Sequence, residues 1–278
     1  MQVKFWGVRG SIAVSGERFA RTGGNTTCVE VEHDGHRLIL DGGTGLRALG
    51  EQWGFRPLRA TVLFTHLHWD HIQGVPFFTP AFHPDSELVF AAADRGGHTI
   101  RETLSLQMRP PQFPIGLEAL VGAKAFVDLD LRSSPVASVF EEGPFRVTPL
   151  EQDHPDGVVV YRVEAGGRSM VFATDTEHGG LRIDRALVDL AEGCDLLVHD
   201  AQYTDAEYRG QGGPPRKGWG HSTWGEAVEV ARRAAVGRLG LFHHDPSRGD
   251  AAVDAIEAEA QRRFTPTFAA REGMAVAL

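Results

Sequence analysis

Short apolar runs, rich in β-branched residues and closed by tight turns, recur along the chain and alternate with stretches of helical spacing. In the first half, residues 3–6, 27–32 and 37–40 read as strands, with Asp34-Gly35 as the hairpin turn between the last two. A helix is predicted over 46–53, a buried strand over 60–64, the start of a helix over 70–78 and a strand over 87–92. Residues 96–106 read as a helix. The run Met108-Arg109-Pro110-Pro111-Gln112-Phe113-Pro114-Ile115 then breaks the pattern, because three prolines cannot belong to a regular element. In the second half, strands are predicted over 123–127, 136–139, 145–148, 157–164, 168–173, 195–198 and 238–242, and helices over 223–235 and 250–263. Two short strands, 267–270 and 274–277, close the chain. No linker, low-complexity tract or repeat interrupts this rhythm, so residues 1–278 are read as one domain of the α/β class.

Metal-ligand chemistry collects where strands end. Thr65-His66-Leu67-His68-Trp69-Asp70-His71 leaves the strand at 60–64 and places three imidazoles and a carboxylate within six residues. His66 and His68, two apart, can point the same way in an extended segment, while Asp70 and His71 turn after the bend towards a second point. One bend with two ligand pairs suggests two metals. His154, held in a stiff turn by the following proline, is the candidate third imidazole beside His66 and His68; alone it is an ordinary loop residue. Asp175 directly follows an apolar strand and can bridge two cations, or equally cap a helix. His243 ends another strand and can join Asp70 and His71; its neighbour His244 is expected to face the other way. Asp41, at the end of strand 37–40, either accepts a ligand histidine N–H or caps a turn. Asp200 and His221 complete no coordination sphere. As a couple they suit a proton donor whose pKa the carboxylate raises, with a plain structural hydrogen bond as the alternative.

Composition narrows the partners. Net charge is −9 from 28 basic and 37 acidic side chains, which disfavours nucleic-acid binding driven by phosphate contacts. A phosphate substrate stays compatible, since bound cations supply local positive charge. There is no apolar run of membrane-spanning length, the first residues read as a strand and no signal peptide is expected, and the two cysteines are too few and too far apart for a disulfide framework. A cytoplasmic protein with buried free thiols is expected. Residues 95–124, with Met108 and Phe113 as an apolar wall, form either a flap over the site or a surface connection.

The histidine loop resembles the signature of the metallo-β-lactamase superfamily, and Asp41, His154, Asp175 and His243 follow in the order of that superfamily's remaining motifs. Within it the chain looks like the phosphodiesterase branch that contains RNase Z and small cyclic phosphodiesterases. His199-Asp200-Ala201 resembles the His-Glu-Ala-Thr motif of RNase Z, with Asp for Glu and Gln202 for Thr, and His221-Ser222-Thr223 matches its His-Ser-Thr motif. The runs Phe5-Trp6-Gly7-Val8-Arg9-Gly10-Ser11 and Gly23-Gly24-Asn25-Thr26-Thr27 are similar to those of a widespread bacterial group in this branch. The resemblance implies a four-layer αβ/βα sandwich with the metal site at one edge. It implies two divalent cations, zinc foremost and manganese as the carboxylate-compatible alternative: one on His66, His68 and His154, the other on Asp70, His71 and His243, with Asp175 between. His221, Asp200 and Asp70 are the expected catalytic residues, and a small phosphodiester such as a cyclic nucleotide or cyclic phosphate is the expected substrate. RNase Z carries a long basic glycine-rich arm that residues 95–124 do not reproduce, so an RNA endonuclease is the alternative. A lactonase or thioesterase is a further alternative, and a homodimer is implied by the RNase Z relatives.

Overall fold

The structure is a computed structural model that describes residues 1–93, 97–131, 140–178 and 183–278. Its first half runs β1 (Gln2–Gly7), β2 (Cys28–His33), β3 (His36–Leu40), α1 (Thr44–Trp53), β4 (Arg59–Leu63), α2 (Trp69–Ile72), β5 (Glu87–Ala93), α3 (Ile100–Gln107) and β6 (Ala123–Leu129). The second half opens with β7 (Phe140–Glu142), β8 (Phe145–Gln152), β9 (Val158–Ala165), β10 (Arg168–Ala173), α4 (Arg185–Ala191) and β11 (Leu196–Asp200). It continues with α5 (Asp205–Tyr208), α6 (Trp224–Arg233), β12 (Leu239–Phe242), α7 (Asp250–Arg263), β13 (Thr267–Ala269) and β14 (Ala275–Ala277).

Among the described residues the strands form two sheets of seven, in the orders β14-β1-β2-β3-β4-β5-β6 and β13-β12-β11-β10-β9-β8-β7. Each sheet has a run of parallel pairing, β3 to β6 in one and β10 to β13 in the other, continued by antiparallel strands. Alternation of side chains along a strand sends one set from each sheet to a shared interior. There Phe5, Val31, Leu38 and Leu63 pack with Val147, Tyr161, Phe172 and Phe242. The opposite faces are covered by helices: α1 and α3 over the first sheet, α4, α6 and α7 over the second. Buried on both faces, the central strands are almost wholly apolar, as in the run Val158-Val159-Val160. The result is a four-layer αβ/βα sandwich.

Three expectations change. The helix expected over 70–78 stops at Ile72, and Val75–Phe77 is a separate turn of 3-10 helix after Gly74, whose Cα lies tight against the backbone of Gly43. The helix expected from 96 begins at Ile100, where Thr99 and Glu102 form a capping box. Met108 is no wall of a flap: it is buried with Ile100 and Leu104 under the first sheet. The strand expected at 136–139 lies outside the described residues, as does the start of the expected 95–124 flap. Cys28 and Cys194 are buried free thiols, and burial raises the pKa of both, Cys194 to about 12. Among the described residues no helix is long and apolar enough to cross a membrane.

Candidate metal centre

The ends of β3, β4, β10, β11 and β12 and the turn after β8 carry the candidate residues other than His221, which comes from the loop before α6. At three of these ends the chain turns through left-handed backbone on a residue other than glycine: Asp41 (φ 64°), Asp175 (φ 54°) and His243 (φ 57°). Such conformations cost about 1–3 kcal/mol and persist where the surroundings over-determine them. Here they swing side chains off the strand line and into the common site.

His66 and His68 have ring centroids 4.4 Å apart, and His154 lies 4.8 Å from the first and 4.9 Å from the second. One ligand atom from each of these three falls within 4.8 Å of the others, and the same holds for Asp70, His71 and His243. Asp175 lies between the sets. Its Oδ1 is 3.9 Å from Nε2 of both His66 and His154, and its Oδ2 is 3.3 Å from Nε2 of His71 and 3.2 Å from Nε2 of His243. Asp70 Oδ2 is 3.4 Å from the same two nitrogens of His71 and His243. His68 is the more exposed member of the first set; its Nδ1 is 3.1 Å from Nε2 of His154. His244 faces away, its Nε2 donating to the Ala270 carbonyl at 3.0 Å.

Whether these residues suit cations is answered by atoms left without partners. Nε2 of His66, His71 and His243 is buried and makes no hydrogen bond. Leaving such a nitrogen unmatched costs free energy unless something else occupies it, so three converging on two carboxylates fit a pair of cations. The other ring nitrogens are tied down. His71 Nδ1 lies 2.9 Å from Asp41 Oδ2, His154 Nδ1 is 2.8 Å from the Gly220 carbonyl, and His243 Nδ1 is 2.8 Å from Gln202 Oε1. Partners of this kind set which nitrogen is free to ligate. Asp41 also accepts from the Thr65 backbone N–H at 2.8 Å, so it buttresses the histidine loop from the neighbouring strand and caps no helix.

The charges follow from this crowding. Burial opposes ionisation of Asp175 and Asp70, yet the surrounding histidines outweigh it and hold both carboxyls well below the usual range. Burial also opposes protonation of His71, but Asp70, Asp175 and Asp41 raise its pKa well above the usual value. His66 goes the other way, lowered by burial and by its cationic neighbour His71.

Asp200 and His221 form a separate couple, with Nδ1 of the ring 2.9 Å from Oδ2 of the carboxylate. Burial works against the imidazolium, but the charge and hydrogen bond of Asp200, helped by Asp175 and Asp70, raise His221 to about 9. The remaining acceptor sites of Asp200 take backbone N–H groups from Asp175, Gln202 and Ser222. Those contacts leave it placed to orient the ring.

Four contributors were not singled out as functional from the sequence. Gln202 orients His243. Ser11 donates its N–H to Asp70 Oδ2 at 2.7 Å. Gly10 leaves room for the His243 ring, which a Cβ there would meet at 2.5 Å. Glu177 accepts the backbone N–H groups of Gly218 and Gly220 at 2.8 and 2.7 Å, pinning the loop that delivers His221. The motif at 5–11 was the available signal for Gly10 and Ser11; nothing local marks Glu177.

Known proteins resemble this chain in sequence and in fold. The sequence pattern described as the Beta-lactamase superfamily domain matches residues 36–244. A Ribonuclease Z of Natronomonas pharaonis is 27% identical over 305 residues, spanning 95% of this chain and 93% of its own. Among solved structures, the metallo-β-lactamase fold protein YhfI from Bacillus subtilis superposes with a TM-score of 0.72 at 19% identity, over 99% of this chain and 98% of its own. A diphosphatase of the PhnP family does so with a TM-score of 0.67 at 16% identity, over 99% and 96%.

Proposed function

This chain belongs to the metallo-β-lactamase superfamily, and from that premise we propose that it is a metal-dependent hydrolase that cleaves a phosphodiester bond in a small substrate, a cyclic nucleotide or another cyclic phosphate. His66, His68 and His154 would hold one cation and Asp70, His71 and His243 the other, with Asp175 shared. The nitrogen-rich sets suit zinc foremost, and the carboxylates keep manganese compatible. When bound, such a pair supplies Lewis acidity at the phosphoryl oxygens and an ionised water at neutral pH.

The observation that carries the reading is the Asp200–His221 couple beside that donor set. With Nδ1 committed to Asp200, Nε2 is the atom that hands a proton to the departing oxygen. An alkoxide is a poor leaving group and needs that proton; a thiolate does not. This weighs against a thioesterase; a lactone also expels an alkoxide, so the ester arm of the test below separates a lactonase. The RNase Z reading is favoured by the name and full-length coverage of the relative at 27% identity, and opposed by a net charge of −9.

The test compares metal-loaded wild type with His221→Ala on a cyclic nucleotide, on bis(p-nitrophenyl) phosphate and on p-nitrophenyl acetate. On the cyclic nucleotide, whose departing oxygen is an alkoxide, turnover falling by roughly 10²–10⁴ in the variant is the expected result. Bis(p-nitrophenyl) phosphate, whose p-nitrophenolate leaves without a proton, reports phosphodiester turnover and falls less. Preferential ester cleavage indifferent to His221 overturns the proposal.

A further inference from the structure

We propose that the cleft beside the ligand-rich edge is a subsite for a planar heteroaromatic group, a nucleoside base, carried by the phosphodiester substrate. The inference rests on the phosphodiesterase reading and narrows its substrate class.

The cleft has a volume of about 650 Å³, within the ~300–1,000 Å³ of small-molecule sites. Trp69, Phe77, Phe113 and Ile12 line it, together with the amides of Gln73 and Gln112. Trp69, Phe77 and Ile12 are 65%, 54% and 53% exposed, and Phe113 meets the Phe77 ring edge-on at 5.6 Å. One exposed apolar side chain is ordinary; several large ones gathered in a single concavity mark a binding surface.

Its place joins it to the candidate chemistry. Trp69 directly precedes Asp70, Gln73 follows His71 by two positions, and Ile12 follows Ser11, whose N–H holds the Asp70 carboxylate. The segments that aim the donors therefore also build the cleft wall.

Its chemistry selects the occupant. Arg47 is the charged side chain on the lining and is paired with Glu51 one turn along α1, so the lining offers no cluster of cations for a second phosphate. Aromatic rings offer stacking faces, and primary amides both donate and accept, which matches the mixed edge of a base. An aliphatic chain would gain nothing from those amides.

The experiment uses p-nitrophenyl esters that share one leaving group: thymidine 5′-(p-nitrophenyl phosphate), methyl p-nitrophenyl phosphate and octyl p-nitrophenyl phosphate. Wild type is expected to favour the thymidine ester over the methyl ester in kcat/KM. Stacking on an aromatic side chain contributes about 1–3 kcal/mol per base, so that preference should fall about 5- to 150-fold in Trp69→Ala and in Phe77→Ala. Both side chains are exposed, and neither variant threatens folding. A preference unchanged in both variants, or an octyl ester preferred to the thymidine ester, overturns the subsite.

A second readout separates the two proposals. Thymidine 5′-monophosphate is titrated into chelator-treated protein while tryptophan fluorescence is followed. If wild type with metal cleaves none of the three esters, the hydrolysis reading fails. Saturable quenching absent from Trp69→Phe then still upholds the subsite, and no quenching in wild type removes it.

Discussion

Asp41 shows how one carboxylate organises a neighbouring loop. Its two oxygens take the Thr65 N–H, the Thr65 hydroxyl and the Nδ1 of His71, all in a fully buried position. Burial is the largest influence on it and raises its pKa, against the pull of His71 and the Thr65 donors. Removing such a partner typically lowers metal affinity 10–100-fold, because the ligand ring loses its fixed orientation. We expect Asp41→Ala to weaken zinc binding by that factor while retaining wild-type secondary structure, as read by competition with a chromophoric chelator and by circular dichroism. Equal affinity in the two proteins would remove Asp41 from the supporting shell. The local sequence left this residue divided between buttress and cap. The choice depended on the distance between two strand ends, β3 and β4, paired in parallel. Gln202 is a similar case, since its link to His243 spans 41 positions.

At the scale of the element, α6 matters because His221 and Ser222 immediately precede its cap. Thr223 accepts from the Glu226 N–H, and the Glu226 carboxylate returns to the Thr223 N–H at 2.8 Å. Thr223→Ala is expected to cost about 0.5–2 kcal/mol in urea unfolding. The same change should lower phosphodiester kcat more than it raises KM, since a frayed cap lets the neighbouring His221 wander. A stability loss with unchanged kcat would confine the cap to a structural role. α6 falls inside the predicted 223–235, and α7, which lacks such a capping box, matches its prediction at both ends. By contrast, α3 starts four residues after its predicted 96 and the short α5 went unread, although both carry the box. The helix at 70–78 misled because the apolar residues Val75, Phe77 and Phe78 continue the run. Only the backbone approach of Gly43 to Gly74 shows why the chain must turn there. The short helix α4 went unread, next to residues the structure does not describe.

For the whole molecule, the interior holds histidines that must stay neutral. Burial, then His199, lowers His178 to about 3, and burial, then the charge of Arg9, lowers His244 to about 3. In the unfolded chain both titrate near 6.5. The unfolded state therefore binds more protons between these values, so their contribution to stability is fully present above pH ~6.5 and is lost as pH falls towards 3. Each fully linked proton is worth about 1.4 kcal/mol per pH unit. Urea unfolding of chelator-treated protein from pH 6.5 down to 5 should show stability dropping with acid. In that window the raised His71 and His221 are mostly charged in the folded and unfolded states alike, and most carboxylates are not yet titrating. The slope should be shallower in His244→Gln, which can still donate to the Ala270 carbonyl. A flat profile in wild type would mean that these rings are already protonated in the fold.

What the amino-acid order determined unaided is whatever short range controls. Strand period, turn chemistry and the density of donors in Thr65 to His71 are properties of neighbours, and they were sufficient for the α/β alternation and for the suggestion of two metals. Tertiary structure decided the rest: which oxygen of Asp175 faces which imidazoles, that Glu177 clamps the loop before His221, and that Trp69 opens onto a cleft with Phe77 and Phe113. Those relations join residues from separate strand ends and loops, and only the packing of two sheets face to face brings such ends to one edge. Spacing along a chain carries no information about distance across it.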